Sequence, residues 1–154
     1  MREILFRGQD AATGDWIKGY FVQLFDDKGN KTNRIYSGYA ETDCEDYYPD
    51  FWEVDPETVG QFTGLTDKNG KKVFEGDIIR FTDENSEYEW VGRVEFGNPN
   101  AEYNWGFQLV YINGTKANTD ILLWFDMEET GAYSEVIGNI HDNPELLKGG
   151  AVDG

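Results

Sequence analysis

The stretch Val73-Phe74-Glu75-Gly76-Asp77-Ile78-Ile79-Arg80-Phe81 decides the fold. It reads as a tight turn that launches a β-strand. Gly76 tolerates the positive φ such a turn needs, and the Asp77 carboxylate has the reach to accept a nearby backbone N–H. From Asp77 onward the pattern has period two, with Ile79 and Phe81 on one face and Ile78 and Arg80 on the other. A second strand of the same style follows at 91–96, with Val94 and Phe96 sharing a face and Arg93 and Glu95 the opposite one. The expectation is two or three consecutive antiparallel strands, Ile79, Phe81, Val94 and Phe96 inward, Arg80, Arg93 and Glu95 outward.

Working outward, the N-terminal side reads as strands too. Ile4 and Phe6 alternate with Leu5 and Arg7, a turn follows at Thr13-Gly14-Asp15, and 16–25 (WIKGYFVQLF) is rich in strand formers. Residues 26–30 (DDKGN) form a turn cluster, and 33–40 a shorter strand. Asn69-Gly70 is a hairpin signal of the two-residue type I′ class. Further on, Trp105, Phe107, Leu109 and Tyr111 alternate on one face, and 133–140 reads as the last strand. The apolar run 121–125 (ILLWF) reads as a strand covered on both sides, with a buried helical turn as the alternative. Pro144 opens a short helix, and a disordered tail is expected from Gly149.

These readings give an all-β, mainly antiparallel fold class. The expected organisation is an N-terminal β segment (1–62), an SH3-like barrel core with a C-terminal helical turn (63–148), and the tail (149–154). The 154 residues include ten Phe, nine Tyr and five Trp, a ring content that suits sheets better than a helical bundle.

Residues 41–57 (ETDCEDYYPDFWEVDPE) stand apart, with eight carboxylates, no base and four large aromatics. Two prolines and the absence of a clean period predict a loop with a helical turn. The whole chain carries 30 acidic and 13 basic residues, a net charge of −17, which argues against direct nucleic-acid binding and against anionic lipid. The mixture of acids and rings makes Asp43, Glu45, Asp46, Tyr48, Asp50 and Trp52 candidate partner-binding residues. A solvated loop is the plainer reading of the same residues.

No other chemistry assembles. His141 is the single histidine and Cys44 the single cysteine. Together they fall short of a zinc set, and carboxylates around Cys44 work against a thiolate. No nucleophile elbow, phosphate-binding loop, dinucleotide fingerprint or EF-hand spacing is present. The expectation is a protein that is not an enzyme and has no cofactor and no metal. One cysteine, a charged N-terminus and no apolar run near the ~20 residues of a bilayer span predict a soluble, cytoplasmic protein with no membrane partner.

Three blocks, MREILFRG at 1–8, TVGQFTGLTDKNGKKVFEGDII at 58–79 and EVIGNIHDNPELL at 135–147, occur in that order over nearly the whole chain. In this combination the chain resembles the YopX family of phage and prophage proteins. The resemblance implies a mostly β accessory protein working in the host cell, with self-association within reach. It brings no activity and no catalytic residues, and 41–57 and the tail lie outside its blocks. The functional expectation is binding to a protein partner, such as inhibition of a basic host factor. The alternative is a structural or assembly role through homo-oligomerisation.

Overall fold

The computed structural model describes residues 3–40, 48–83, 89–97, 105–113, 118–125 and 132–153. The chain divides into two compact units, Met1–Phe62 and Thr63–Gly154. Strands dominate both, and the strand pairings among the described residues are antiparallel.

The first unit holds β1 (Phe6–Gln9), β2 (Trp16–Phe25), β3 (Lys31–Ala40), β4 (Tyr48–Glu53) and the head of β5 (Gly60–Thr66), in the order β4-β3-β2-β1-β5. One sheet face buries Ile35 and Val54, and Phe6 meets Phe21 there at 5.9 Å between ring centroids. Gly8 packs tightly on that face. A Cβ at this position would lie 3.1–3.3 Å from Val59, Ile35 and Val54. The end of β1 is also drawn to the end of β4. Asp10 bridges Val54, the Ala11 N–H donates to Glu53 O, and the Asp55 N–H donates to Gln9 O.

The second unit holds the tail of β5, β6 (Lys72–Phe74), β7 (Asp77–Asp83), β8 (Glu89–Gly97), β9 (Gly106–Tyr111), β10 (Asn118–Asp120), α1 (Leu122–Phe125) and β11 (Ala132–Asn139). A 3-10 helix, Pro144–Asp153, ends the chain. Five strands run in the order β10-β9-β8-β7-β11. The order is open, with β10 and β11 at the edges, so the expected SH3-like barrel is not closed by pairing. The core face of the sheet carries Ile79, Phe81, Val94 and Leu109. It is covered by Leu65 and Val73 from β5 and β6 and by Ile121 and Phe125 around α1. A lid built this way removes apolar area from water without strand closure.

Four expectations need correction. Residues 48–53 are a strand, not a loop. Pro49 is compatible with an edge strand, and the period is hidden because rings occupy both faces. The run 121–125 contains a helical turn rather than a strand, started by the Asp120 carboxylate accepting the Leu122 N–H at 2.9 Å. Phe96 is 52% exposed, not inward. Its row, Phe96 opposite Phe107, lies one step beyond the covered row Val94 opposite Leu109, and its ring stacks on Phe107 and Trp105 instead. Finally, the Asn69-Gly70 turn is not a two-residue loop. Asp67 N–H donates to Lys71 O and Gly70 N–H to Asp67 O, closing a three-residue loop with Gly70 at φ 80°.

The outward face of the second unit follows the alternation, with Arg80 bonded to Glu135 at 2.7 Å and Arg93 to Glu95 at 2.8 Å. Ile78 lies on that same face yet is fully buried. Ile79→Ala is expected to cost about 2–5 kcal/mol, the range for emptying a packed aliphatic site. Asp77→Ala should cost about 1–3 kcal/mol by orphaning a buried N–H, whereas Asp77→Asn keeps an acceptor and should cost less. Denaturant titration of the three variants checks the order.

Candidate functional site

Of the sequence-predicted partner-binding residues, Asp43, Glu45 and Asp46 lie outside the described residues. Tyr48, Asp50 and Trp52 are all on β4, opposite Ala40, Gly38 and Ile35 of β3. Trp52 is half-buried in the row of the buried Ile35, while Asp50 is exposed. Among the described side chains of β4, the exposed ring is Phe51, which the candidate set passed over.

Phe51 belongs to a row that crosses three strands. Tyr20 of β2 pairs with Tyr36 of β3, which pairs with Phe51 of β4. Tyr20 is 64% exposed and Phe51 45%. The Tyr36 and Phe51 rings lie 5.4 Å apart, tilted. In the next row Val22, Arg34 and Glu53 are opposite one another. The Arg34 guanidinium sits over the Phe51 ring at 4.3 Å and donates to the Tyr36 hydroxyl at 3.4 Å. Two further rings of this unit face cations: Trp16 beneath Arg7 at 4.7 Å and Phe25 near Lys31 at 5.7 Å. A sequence signal for the row existed in the spacing of β-strand rings, but it is readable only once register is known.

The acids divide by task. Asp10, Asp26 and Asp67 each open a hairpin loop and accept two loop N–H groups on one carboxylate oxygen. The Asn30 side-chain amide, and then backbone N–H groups, hold the Asp26 carboxyl below its ordinary 3.8. A depressed folded-state value means that its contribution to stability is present above the unfolded-chain value and lost as pH falls through the folded one. Asp55 caps the 3-10 turn Pro56–Thr58 through the Glu57 N–H. Asp50, Glu53 and Glu57 are exposed, whereas Glu135 pairs with Lys68 and Arg80, and Glu95 with Arg93.

Residues from the middle and last of the three blocks fasten a corner of the second unit. Asp77 accepts the Phe74 N–H at 2.7 Å, Gly76 N–H donates to Val94 O, and Ile140 N–H donates to Gly76 O. Asn139 accepts from the N–H groups of His141 and Asp142, and its own N–H donates to the Asn143 side chain. A Cβ on Gly138 would lie 2.5 Å from that Asn143 oxygen. His141 therefore enters the fold through its backbone in a turn. Cys44 lies outside the described residues. Among the described residues no cluster of three or more His, Cys, Asp or Glu is placed to hold a metal ion. No helix among them is long and apolar enough to cross a membrane.

The structure thus defines a two-unit, mostly antiparallel β protein whose motif residues hold turns together. The family model described as YopX protein matches residues 5–148, and the chain belongs to the YopX family. The crystal structure of protein EF1440 from Enterococcus faecalis is similar, with a TM-score of 0.53 and 23% identity over 96% of this chain and 99% of that one. At that identity the likeness is one of fold. No curated protein matches the chain.

Asn139→Ala should lower stability by about 1–3 kcal/mol, since it strips the acceptor from two turn N–H groups; thermal and denaturant melts check it. Elemental analysis of dialysed protein purified without a histidine tag should find no stoichiometric zinc.

Proposed function

We propose that this YopX-family chain is a non-enzymatic phage or prophage accessory protein that acts in the host cytoplasm by binding a basic protein partner. The observation that carries this reading is the run from 41 to 57. Its eight carboxylates are accompanied by no basic residue in sequence, and its described part, β4 and the start of a 3-10 turn, exposes Asp50 and Phe51 on opposite faces of the strand together with Glu53, Asp55 and Glu57. Carboxylates steer a cationic partner from a distance, and rings supply contact area at low entropy cost. The net charge of −17 works against close packing of identical copies, which ranks homo-oligomeric assembly second.

The experiment compares wild type with a variant in which Asp43, Glu45, Asp46 and Asp50 become amides, using capture from host lysate across a salt series. Capture should fall in the variant, and wild-type capture should weaken with salt, because screening acts over ~8–10 Å at 0.1–0.15 M. Unchanged capture by a folded variant assigns the segment to solubility alone. A solution mass near a single chain at micromolar concentration is the expected companion result.

A further inference from the structure

The sheet of the first unit has a second face, opposite the one that buries Ile35 and Val54. Alternation sets four rings on it: Trp16 and Tyr20 of β2, Tyr36 of β3 and Phe51 of β4. It sets three cations there as well. Arg7 of β1 stands directly opposite Lys18 of β2, and Arg34 of β3 lies in the row next to Tyr36. Among the described residues of β1–β4, Glu53 is the one acid on this face, opposite Arg34. In a chain of 30 acids and 13 bases, this face reverses the balance.

We infer that this face binds a single-stranded nucleic acid, with bases on the rings and phosphates at the cations. Tyr20 and Phe51 are 64% and 45% exposed. They end the row Tyr20–Tyr36–Phe51, two strand spacings or about 10 Å apart, which is wider than one base. Each has a cation one side-chain step away along a strand, roughly 7 Å by strand rise, the reach from a base to its own phosphate. For Tyr20 that cation is the exposed Lys18, and for the other end of the row it is the half-buried Arg34. The Arg34 guanidinium lies on Phe51 at 4.3 Å and donates to the Tyr36 hydroxyl at 3.4 Å, so it is held among rings with terminal donors left for a phosphate oxygen. Arg7 is buried against Trp16 at 4.7 Å and adds field rather than contact.

Other occupants satisfy only half of the face. A cationic segment meets three like charges. An acidic peptide answers the cations but brings no flat surface to the rings. A duplex keeps its base faces inside its own stack. A single strand supplies both flat bases and phosphates, and base–ring stacking works with any sequence because every base has a π-face. The net charge of −17 repels such a strand from afar. That repulsion is screened beyond ~8–10 Å at 0.1–0.15 M salt, whereas stacking acts in contact.

The test titrates purified protein into a fluorescent single-stranded oligonucleotide of about twelve nucleotides, a length within the ~4–16 that one sheet-face site covers. Its duplex form, an arginine–glycine peptide and a glutamate–glycine peptide are the other probes. The variants are Tyr20→Ala/Phe51→Ala, Tyr20→Phe/Phe51→Tyr, Lys18→Gln and Trp105→Ala, with folding checked by circular dichroism. The single strand should bind wild type more tightly than the duplex or either peptide. The double alanine variant should lose on the order of tenfold in affinity or more, as lost base stacking does. Tyr20→Phe/Phe51→Tyr keeps both rings and should recover most of that loss. Lys18→Gln should weaken binding and flatten its salt dependence, the mark of a lost phosphate contact. Trp105→Ala, in the other unit, should bind as wild type does. Amide resonances of 18–22, 34–36 and 51–53 should shift on titration. No binding of the single strand by folded wild type, or equal affinity of wild type and the double alanine variant, overturns the inference. Tighter binding of either peptide, or a doubled solution mass abolished by Tyr20→Ala/Phe51→Ala, overturns it in favour of a protein or a second copy. The titration contains no lysate, so its failure leaves the basic-partner reading standing. Lysate capture unchanged by the amide substitutions removes that reading and leaves this face.

Discussion

A carboxylate that accepts a buried backbone N–H sets the register of the second unit. Asp77 has almost no exposed surface and takes the Phe74 N–H at 2.7 Å. Without it that donor stands unpaired in an apolar surrounding, an expensive state. The bond fixes a turn that Gly76 completes at φ 93°. Gly76 then passes its N–H to Val94 O and receives the Ile140 N–H, so β8 and the end of β11 are indexed to the same turn. Register matters here because a slip of one residue would exchange Ile79 and Phe81 for Arg80 on the core face. The Asn139–Asn143 turn fastens the same corner from the other side, pairing Asn139 with Asp77 across the ladder.

Acidic residues are spent in two ways that the composition does not separate. Asp10, Asp26, Asp67 and Asp77 are building elements, each accepting backbone N–H groups where a loop must turn. They belong to the fold. The acids of 50–57 contrast with them. Asp55 has one capping bond, while Asp50, Glu53 and Glu57 stand in solvent without a cation nearby in sequence. Structure does not require that concentration. It lowers stability through like-charge repulsion, and it is explicable as a field directed outward.

How far the sequence could be read follows from the same physics. Strands with one buried face were legible: Trp16–Phe25, Asp77–Asp83, Glu89–Gly97 and Gly106–Tyr111 show alternation or strand-forming composition, and turn residues bound them. β4 was not, because Phe51 and Trp52 put rings on opposite faces and erase the contrast on which period-two reading depends. The helical turn at Leu122–Phe125 is too short to develop a 3.6-residue period, and its signal was the capping Asp120. Phe96 shows a different limit. Alternation assigns a residue to a face, but whether the core reaches that far along the face depends on what covers it. For the candidate site, sequence located the charged segment, whereas the row Tyr20–Tyr36–Phe51 arises from pairing between residues far apart in the chain.

Each unit exposes a cluster of rings, and their surroundings distinguish them. At the end of the β8–β9 pair, Phe96 meets Trp105 at 6.0 Å and Phe107 at 5.1 Å, edge to face. Those rings satisfy one another's quadrupoles, and Phe107 anchors them to the core. Trp105, at 72% exposure, continues an alternating strand past the point where the lid ends. The row on β2, β3 and β4 is arranged otherwise. Tyr36 and Phe51 are tilted neighbours, the outer contact of Phe51 is a guanidinium, and acids follow immediately along the strand. The Phe51 ring thus has its cation within the unit, and the same Arg34 stands opposite Glu53 across the ladder.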